Sequence, residues 1–394
     1  MNRTQRRFIV AAATALVAVA ALEASQGGPK PPPPTPPPAP PALWHIAGQA
    51  RSGAAADQET AYFVSKQHEV TAVDAATGTV RWRRLTGEWG DLHWGETAVA
   101  AGSVVVVADY NLVAFDRKTG LQRWRFIPRE GYGPGIYMGA ATETHVLTGS
   151  PAGRVFSVEL ETGQLQWTAV VSSEGKTTVF SPVVRGPVVA AGFSEFTLPG
   201  VGGVTMLAAD SGRLLWKRYF PPPDDPALST HLGGGPVFDG AVVIAASGDG
   251  VIHAFDVGTG EIQWSIPRVK PAGPSLISPD RDFRALTITN GTLVSGSATG
   301  IVIGYDLATR KEKWRFHDPS IWSTAFRTSS ADGVAYIPYL SGMVVALDAG
   351  TGHELWRMGD WSQGFIWPPA FSGNRTVISG SGHGYVALPR VLSK

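Results

Sequence analysis

The chain has 394 residues with 47 glycines, 30 prolines and no cysteine, and its 33 basic residues nearly balance its 32 acidic ones. The missing cysteine excludes disulfides, thiolate metal ligands, a cysteine nucleophile and a lipid-modified N-terminal cysteine. The balanced charge, without a long block of one sign, argues against nucleic acid as a partner. Many turn residues and few helix-favouring runs beyond the N-terminus indicate an all-β protein.

The N-terminus has the pattern of an export signal. Arg6 and Arg7 precede an apolar stretch over residues 8–22, and small residues surround Ala24. This order predicts a signal peptide over residues 1–24, and the arginine pair leaves the twin-arginine route open beside the general one. The apolar stretch is short against the roughly 20 residues that cross a bilayer. We therefore favour cleavage over a retained anchor and expect no membrane span in the mature chain.

A proline-rich segment follows the signal. Ten of the thirteen residues in 29–41 are proline, a composition that forces an extended polyproline II conformation. We assign residues 25–41 to a linker and residues 42–394 to the folded domain. Simple disorder after cleavage is one interpretation of the linker. A stalk that holds the domain off a membrane is the other, and it requires that the N-terminal segment is retained.

A repeat with the form Ala-x-Asp-x-x-Thr-Gly-x-x-x-Trp dominates the rest of the chain. Four copies keep every marker, and three degenerate copies stay in register with them. Successive tryptophans from Trp82 to Trp356 lie 42 to 50 residues apart. That period suits one four-stranded β-propeller blade per copy.

Each marker of the repeat has a physical reason. Alternating apolar residues before the Asp predict a strand, and the Asp and Gly predict a tight turn into the next strand. The tryptophan then lies on the returning strand, where it packs between sheets and needs a partner for its N–H. We predict this structural role for Trp44, Trp82, Trp124, Trp167, Trp216, Trp264, Trp314 and Trp356.

The two ends of the domain look like the halves of one more copy. Residues 380–389 begin a copy, with Ala387 at its Ala position and Pro389 at its Asp position, while Trp44 ends one. Joined in space, the halves complete a ring and remove its open sheet edges. The predicted fold is an all-β, eight-bladed β-propeller with four-stranded antiparallel blades, closed by N-terminal and C-terminal strands that share a blade.

Candidate ligand-binding residues lie where the chain enters the innermost strands, around a central funnel. They are His93, Trp94, Glu96, Tyr137, His231, Arg284, Arg327 and Trp367. Such a funnel suits an anionic, flat or peptide-like ligand, although these side chains could instead satisfy backbone groups where the blades converge. Three insertions, over residues 193–203, 218–231 and 266–283, should gather on one face of the ring. No histidine pair has metal-binding spacing, so we predict no metal site, and no catalytic constellation is recognisable, so we predict no catalytic residues.

The repeat resembles the tryptophan-docking motif of quinoprotein propellers, named after pyrroloquinoline quinone (PQQ), over residues 44–388. That family includes PQQ-dependent alcohol dehydrogenases, the propeller lipoprotein of the outer-membrane β-barrel assembly machinery, and exported sensory or scaffold domains. In the dehydrogenases, the quinone lies in the funnel on a Ca²⁺ ion, with an Asp base and adjacent cysteines. This chain has no cysteine to supply that arrangement.

The resemblance and the export signal together define the expected function. We expect an exported monomer, periplasmic, in the cell envelope or secreted, that binds a protein or peptide partner without catalysis and without a cofactor. The alternatives are a PQQ- and Ca²⁺-dependent alcohol or sugar dehydrogenase and an extracytoplasmic sensor domain.

Overall fold

The computed structural model describes residues 37–87, 98–108, 111–128, 137–172, 177–180, 182–195, 200–224, 228–267, 283–321, 324, 327–359, 367–380, 382 and 384–392. The folded unit is Pro37–Lys394. Strands and turns account for the regular structure of these described residues, and no helix among them could cross a membrane.

The described strands form eight antiparallel sheets, and each sheet is one blade of a ring, which confirms the predicted eight-bladed β-propeller. The first strand, β1 (Trp44–Ile46), belongs to blade 8. Blade 1 contains β2 (Ala55–Ala56), β3 (Thr60–Val64), β4 (Glu69–Asp74) and β5 (Val80–Leu85). Blade 2 contains β6 (Ala98–Ala101), β7 (Val104–Ala108), β8 (Leu112–Asp116) and β9 (Gln122–Phe126). Blade 3 contains β10 (Tyr137–Ala141), β11 (His145–Gly149), β12 (Arg154–Glu159) and β13 (Leu165–Val170).

The remaining blades follow in the same order. Blade 4 contains β14 (Thr177–Val179), β15 (Val183–Arg185), β16 (Val188–Glu195), β17 (Val201–Ala208) and β18 (Leu214–Tyr219). Blade 5 contains β19 (Val237–Asp239), β20 (Val242–Ala246), β21 (Ile252–Asp256) and β22 (Ile262–Ile266). Blade 6 contains β23 (Phe283–Thr289), β24 (Thr292–Ser297), β25 (Val302–Asp306) and β26 (Glu312–Phe316). Blade 7 contains β27 (Ser329–Ala331), β28 (Val334–Pro338), β29 (Met343–Asp348) and β30 (Glu354–Gly359). Blade 8 adds β31 (Ala370–Ser372), β32 (Arg375–Gly380) and β33 (Gly384–Pro389) to β1.

Strand burial follows from position within the blade. The first strands of neighbouring blades contact one another, as β2 does with β6 and β31, so they form the inner ring. The third strand of blade 2, β8, is buried at four of its five residues because both of its faces pack against other blades. The outer strand β5 buries only Trp82 of its six residues. The apolar cores therefore lie between blades, as where Tyr62 and Trp82 of blade 1 meet Val105 of blade 2.

Blade 8 closes the ring as the sequence predicts. Its strand order is β1-β33-β32-β31, so the N-terminal strand forms the outer edge of a sheet otherwise made from the C-terminus. Trp44 lies opposite Ala387 in this pair, just as Trp82 lies opposite Ala72 in blade 1. The pairing through space reproduces the register of an unbroken hairpin.

Blade 4 departs from the regular pattern in two ways. Its inner strand is split into β14 and β15, which both pair with β16. Pro182 lies at this break, where it has no N–H to offer to a strand neighbour. The hairpin of β16 and β17 is also the longest described, with eight residues in each strand. Blade 4 therefore stands taller than its neighbours where the insertion at residues 193–203 was predicted.

Candidate functional site

The repeated tryptophans join each blade to the next one. In the described residues, six of the eight donate their indole N–H to a backbone carbonyl in the following blade. The bonds run from Trp44 to Ala75 (3.0 Å), Trp82 to Arg117 (3.0 Å), Trp124 to Leu160 (2.9 Å), Trp167 to Ala209 (3.0 Å), Trp216 to Val257 (2.9 Å) and Trp314 to Ala349 (2.9 Å). Each acceptor is the residue after the Asp position of the repeat, so the turn of one blade receives the tryptophan of the blade before it.

The glycine of the repeat has a second role that the sequence did not reveal. Gly120 has a φ of +70°, as the turn requires, and a Cβ built there would lie 2.6 Å from the ring of Trp82 in the preceding blade. Gly163 is related to Trp124 in the same way, also at 2.6 Å. The glycine therefore serves the turn and also provides the flat surface on which the indole lies.

The aspartates of the repeat are structural. Oδ1 of Asp116 accepts the backbone N–H of Thr119 at 2.9 Å, and Oδ2 binds the Arg123 guanidinium at 2.8 Å. These hydrogen bonds, the one from Thr119 first, lower the pKa of Asp116 to about 2. Arg81 and the Thr77 N–H likewise lower the pKa of Asp74 to about 2. Asp74 and Asp116 are therefore ionised at neutral pH, and their carboxylates are hydrogen-bonded within their own turns.

Two places in the ring depart from this docking scheme. Trp264 is only half-buried, and the following turn has Arg310 in the glycine position with a φ of +63° and its guanidinium 5.5 Å from the Trp264 ring centroid. Trp356 is 2% exposed, yet its indole N–H has no hydrogen-bond partner among the described residues. It precedes blade 8, where Pro389 takes the Asp position and no turn joins β33 to β1.

The structure describes some of the predicted funnel residues in full and others in part. His93, Trp94 and Glu96 lie outside the described residues. Tyr137 begins β10 and Arg284 lies in β23, and only their backbones are described. His231, Arg327 and Trp367 are described completely, on blades 5, 7 and 8. The described candidates therefore come from different blades, each in the inner strand or on the segment that leads into it.

Arg327 and Trp367 lie in different surroundings. Arg327 is half-buried just before β27. Trp367 packs against the apolar cluster between blades 8 and 1, which includes Phe63 and Tyr385, and its backbone N–H donates to Ser379 O at 3.0 Å. Its indole N–H is buried without a hydrogen bond to a described residue. The Trp367 side chain therefore packs between blades.

His231 lies where two of the predicted insertions meet. The Thr230 N–H donates to Gly200 O at 3.0 Å, which ties the insertion after Trp216 to the tall hairpin of blade 4. Leu232 then pairs with Ser247 at the start of the blade 5 sheet. We call the region formed by residues 200–201, 229–232 and 248–249 the blade 4–5 shoulder; residues 200, 201, 229 and 231 are its partly exposed part. The third insertion, within residues 266–283, lies mostly outside the described residues.

The hydrogen bonds of the shoulder fix the state of its polar groups. Ser229 Oγ donates to Gly200 O at 2.7 Å, which uses its single proton. His231 Nδ1 lies 2.8 Å from the same Oγ and is therefore the donor in that contact, while its ring covers Gly248. A serine nucleophile would instead give its proton to the histidine. In this arrangement the pair fixes the loop.

An anchored aromatic side chain, which was not among the predicted site residues, lies beside the shoulder. Tyr219 ends β18 and is 49% exposed, yet its hydroxyl donates to Glu195 Oε1 at 2.8 Å and accepts from Lys217 Nζ at 3.0 Å. Its ring meets the Phe193 ring edge-on, with 5.2 Å between centroids. The sequence signal was a lysine and a tyrosine two residues apart on one outer strand, which is too common to be diagnostic.

Two further polar residues in blade 5 belong to the fold. His253 is 5% exposed, stacks on Phe220 at 5.5 Å and contacts Ser265 Oγ at 2.9 Å. Its burial lowers its pKa, which favours the neutral ring. Asp249, also buried, accepts the Val251 N–H in a turn. Among the side chains that the structure describes, no group of three or more His, Asp or Glu residues could hold a metal ion.

Comparison with known proteins relates this architecture to one family. The sequence model of the family described as "Outer membrane protein assembly factor BamB" matches residues 38–197 and 200–358. A protein of that name from Bordetella pertussis (strain Tohama I) is 23% identical over 310 residues, which cover 77% of this chain and 74% of the relative.

Solved structures share the fold at low sequence identity. BamB from Moraxella catarrhalis superposes with a TM-score of 0.61 and 16% identity over 89% of this chain and 100% of that one. The quinohemoprotein alcohol dehydrogenase from Comamonas testosteroni superposes with a TM-score of 0.60 and 14% identity over 88% of this chain and 72% of that one. An assembly factor and an enzyme thus share this fold, so the fold alone does not assign the function.

Proposed function

Because this chain belongs to the family of outer membrane protein assembly factor BamB, we propose that it is a non-catalytic scaffold that binds a protein partner in the cell envelope. The family match spans most of the propeller, and the predicted signal over residues 1–24 supports export. The proposal includes a monomeric chain and the absence of a quinone cofactor.

The observation that carries the proposal is the anchored loop face of blades 4 and 5. Two insertions, each of which would lose much conformational entropy if ordered alone, bind each other through the Thr230 and Ser229 contacts to Gly200. Binding surfaces that are already ordered lose less conformational entropy when a partner arrives. The shoulder is therefore suited to receive a folded protein or an extended peptide.

Tyr219 is the aromatic anchor of this surface. Half of it is exposed, while Glu195, Lys217 and Phe193 hold its hydroxyl and ring in one orientation. Tyrosines of this kind contribute a large share of the binding energy at protein interfaces. The side chain already has the position that an interface requires, so little order has to be gained on binding.

A crosslinking experiment tests the proposal. A photo-crosslinking residue placed at Asp224, an exposed position in the insertion that leads from Tyr219 to the shoulder, should capture a discrete envelope protein. Tyr219→Ala should reduce the yield of this product at least tenfold. Leu214→Ala is the matched control, because Leu214 lies at the other end of β18 and is 50% exposed. It should leave the yield unchanged. Equal yields from all variants, or no captured protein in repeated envelope preparations, would contradict the proposal.

A cofactor titration tests the enzymatic alternative. Adding PQQ with Ca²⁺ at micromolar concentration should leave the quinone absorption spectrum unchanged, and no dye-linked oxidation of alcohols or aldoses should follow. The described residues offer no acidic cluster for the metal, and the sequence has no cysteine to stack on a quinone. A spectral shift together with turnover would contradict the scaffold proposal and show that the protein is a dehydrogenase.

The mass of the mature N-terminus tests the export prediction. Cleavage after Ala24 should give a chain that begins at Ser25. An uncleaved chain that fractionates with membranes would instead favour the sensor interpretation, with the proline-rich segment as a stalk.

A further inference from the structure

The end of the proline-rich segment lies along the outer edge of blade 7. Pro38 forms a parallel bridge with Arg357 of β30. The Arg357 N–H donates to Pro37 O at 3.1 Å, and the Ala39 N–H donates to Arg357 O at 3.1 Å. These residues fall in the range predicted to be a linker, and in the structure they pair with the edge of β30 through one parallel bridge.

The sequence of this segment fits the edge. From residue 36 to residue 41 the chain reads Pro-Pro-Pro-Ala-Pro-Pro, so Ala39 is the one residue there with a backbone N–H. That N–H is the donor which the pairing with Arg357 uses. Pro38 lies between the two residues that bond to Arg357. An N–H at this position would point away from the sheet, so its absence in proline loses no hydrogen bond to β30. A segment of continuous proline could still accept the Arg357 N–H but could not donate to the Arg357 carbonyl.

The same segment also covers a seam of the ring in which the described residues lack the tryptophan hydrogen bond. Ala39 packs against the apolar cluster between blades 7 and 8, which includes Trp356 and Leu388. This is the seam in which the Trp356 N–H has no acceptor among the described residues. Since residues 37–39 pair with blade 7 and the chain then continues into β1 of blade 8, the segment connects the two blades on their outer side.

The edge that receives the segment is held rigidly by charge. The Arg357 guanidinium binds Glu354 through Nε and Nη2, at 2.6 and 2.7 Å, and Asp318 of the preceding blade through Nη1 at 2.7 Å. The side chain is 17% exposed. Its backbone N–H and carbonyl therefore stay available in a fixed position for an incoming strand.

We propose that the outer edge of β30 is a strand-docking surface and that residues 37–39 of this chain occupy it as a closure strap. The strap holds blades 7 and 8 together where the tryptophan dock is missing. This role is independent of the partner-binding proposal, since the strap lies on the outer edge of blade 7 and the shoulder lies on blades 4 and 5.

Amide hydrogen exchange in the full-length protein tests the strap. The Arg357 amide should be protected in the wild type because its N–H is bound to Pro37 O. Ala39→Pro preserves the extended conformation and removes the one donor, so it should accelerate exchange of the Arg357 amide at least tenfold. The amides of blade 2 should exchange at unchanged rates in this variant.

Two controls make the result decisive. Ala39→Gly keeps the N–H and should keep most of the protection. Ala42→Pro changes an exposed residue just after the segment, beyond the pairing, and should leave the protection of the Arg357 amide unchanged. An Arg357 amide that exchanges in the wild type as fast as a solvent-exposed amide would overturn the proposal. The same holds for an Ala39→Pro variant with the wild-type exchange rate.

Discussion

Blades 1 and 2 meet through a complete tryptophan dock, while blades 7 and 8 meet without one. In the first seam Trp82 donates to Arg117 O at 3.0 Å and lies on Gly120. In the second, Trp356 is as well buried, but its N–H has no hydrogen-bond partner among the described residues. Each dock is made by two consecutive blades, one providing the indole and the next providing the turn. A break in the chain at one turn therefore affects the preceding blade.

The largest expected effect comes from filling the space under an indole. Gly120→Ala should lower the free energy of unfolding by roughly 2–4 kcal/mol, because the new methyl group meets the Trp82 ring and the backbone is strained. Gly240→Ala is the control, since Gly240 has a φ of +50° with open space around it and shows the backbone cost alone. Denaturant titrations of both variants give the comparison. Equal losses would mean that the indole contact contributes nothing.

Replacing the indole itself compares the two seams directly. Trp124→Phe should lower the free energy of unfolding by about 2 kcal/mol, because it leaves the buried Leu160 carbonyl without its hydrogen-bond donor. The loss of free energy of unfolding in Trp356→Phe should be smaller by at least ~1 kcal/mol, because no described residue accepts the N–H that this substitution removes. Both are read from the shift of the denaturation midpoint. A larger loss at Trp356 would show that its N–H has a partner in solution.

The seam between blades 5 and 6 offers the opposite change. Arg310→Gly should stabilise the protein by up to about 1 kcal/mol, because a glycine relieves the left-handed conformation and lets Trp264 approach the turn. The lost contact between the guanidinium and the ring, worth ~0.5–1 kcal/mol, offsets part of this gain. Thermal denaturation measures the difference. A clear loss of stability would mean that the cation–π contact outweighs the strain.

The smallest effect is the acid sensitivity of the turns. The pKa of Asp116 is about 2 in the folded chain and 3.8 without these contacts, so its contribution is present above pH 4 and is lost as the pH falls to 2. Asp116→Asn should therefore be less stable than the wild type at pH 6 and equal to it near pH 2. Melting temperatures across this range test the expectation. A constant difference at every pH would contradict it.

The ring could be predicted from the sequence because its markers recur. Seven copies of the repeat share an Asp position and a Trp position, and they identify the blades even where Met206 or Gly304 replaces the Ala. The closing blade followed from counting, since Trp44 had no partner until Ala387 was considered. In each case, a local pattern was repeated often enough to distinguish it from chance.

The contacts between copies were harder to predict. The indole of Trp82 lies on Gly120 because propeller geometry brings them together, and no spacing within one repeat shows that contact. Tyr219 depends on Glu195, which is 24 residues away, and the strap on Arg357 depends on a single alanine among prolines. These features arise once each, so the repetition that reveals the blades gives no information about them.

The register of the closing blade bears on where such a ring can be opened. Trp44 faces Ala387 as Trp82 faces Ala72, so the sheet does not distinguish strands joined by a peptide bond from strands that meet through space. A circular permutant that joins the propeller's ends across blade 8 and opens the turn at Gly120 would therefore keep every blade. In this permutant, Trp82 would be the tryptophan that faces a broken turn, as Trp356 is in the natural chain order.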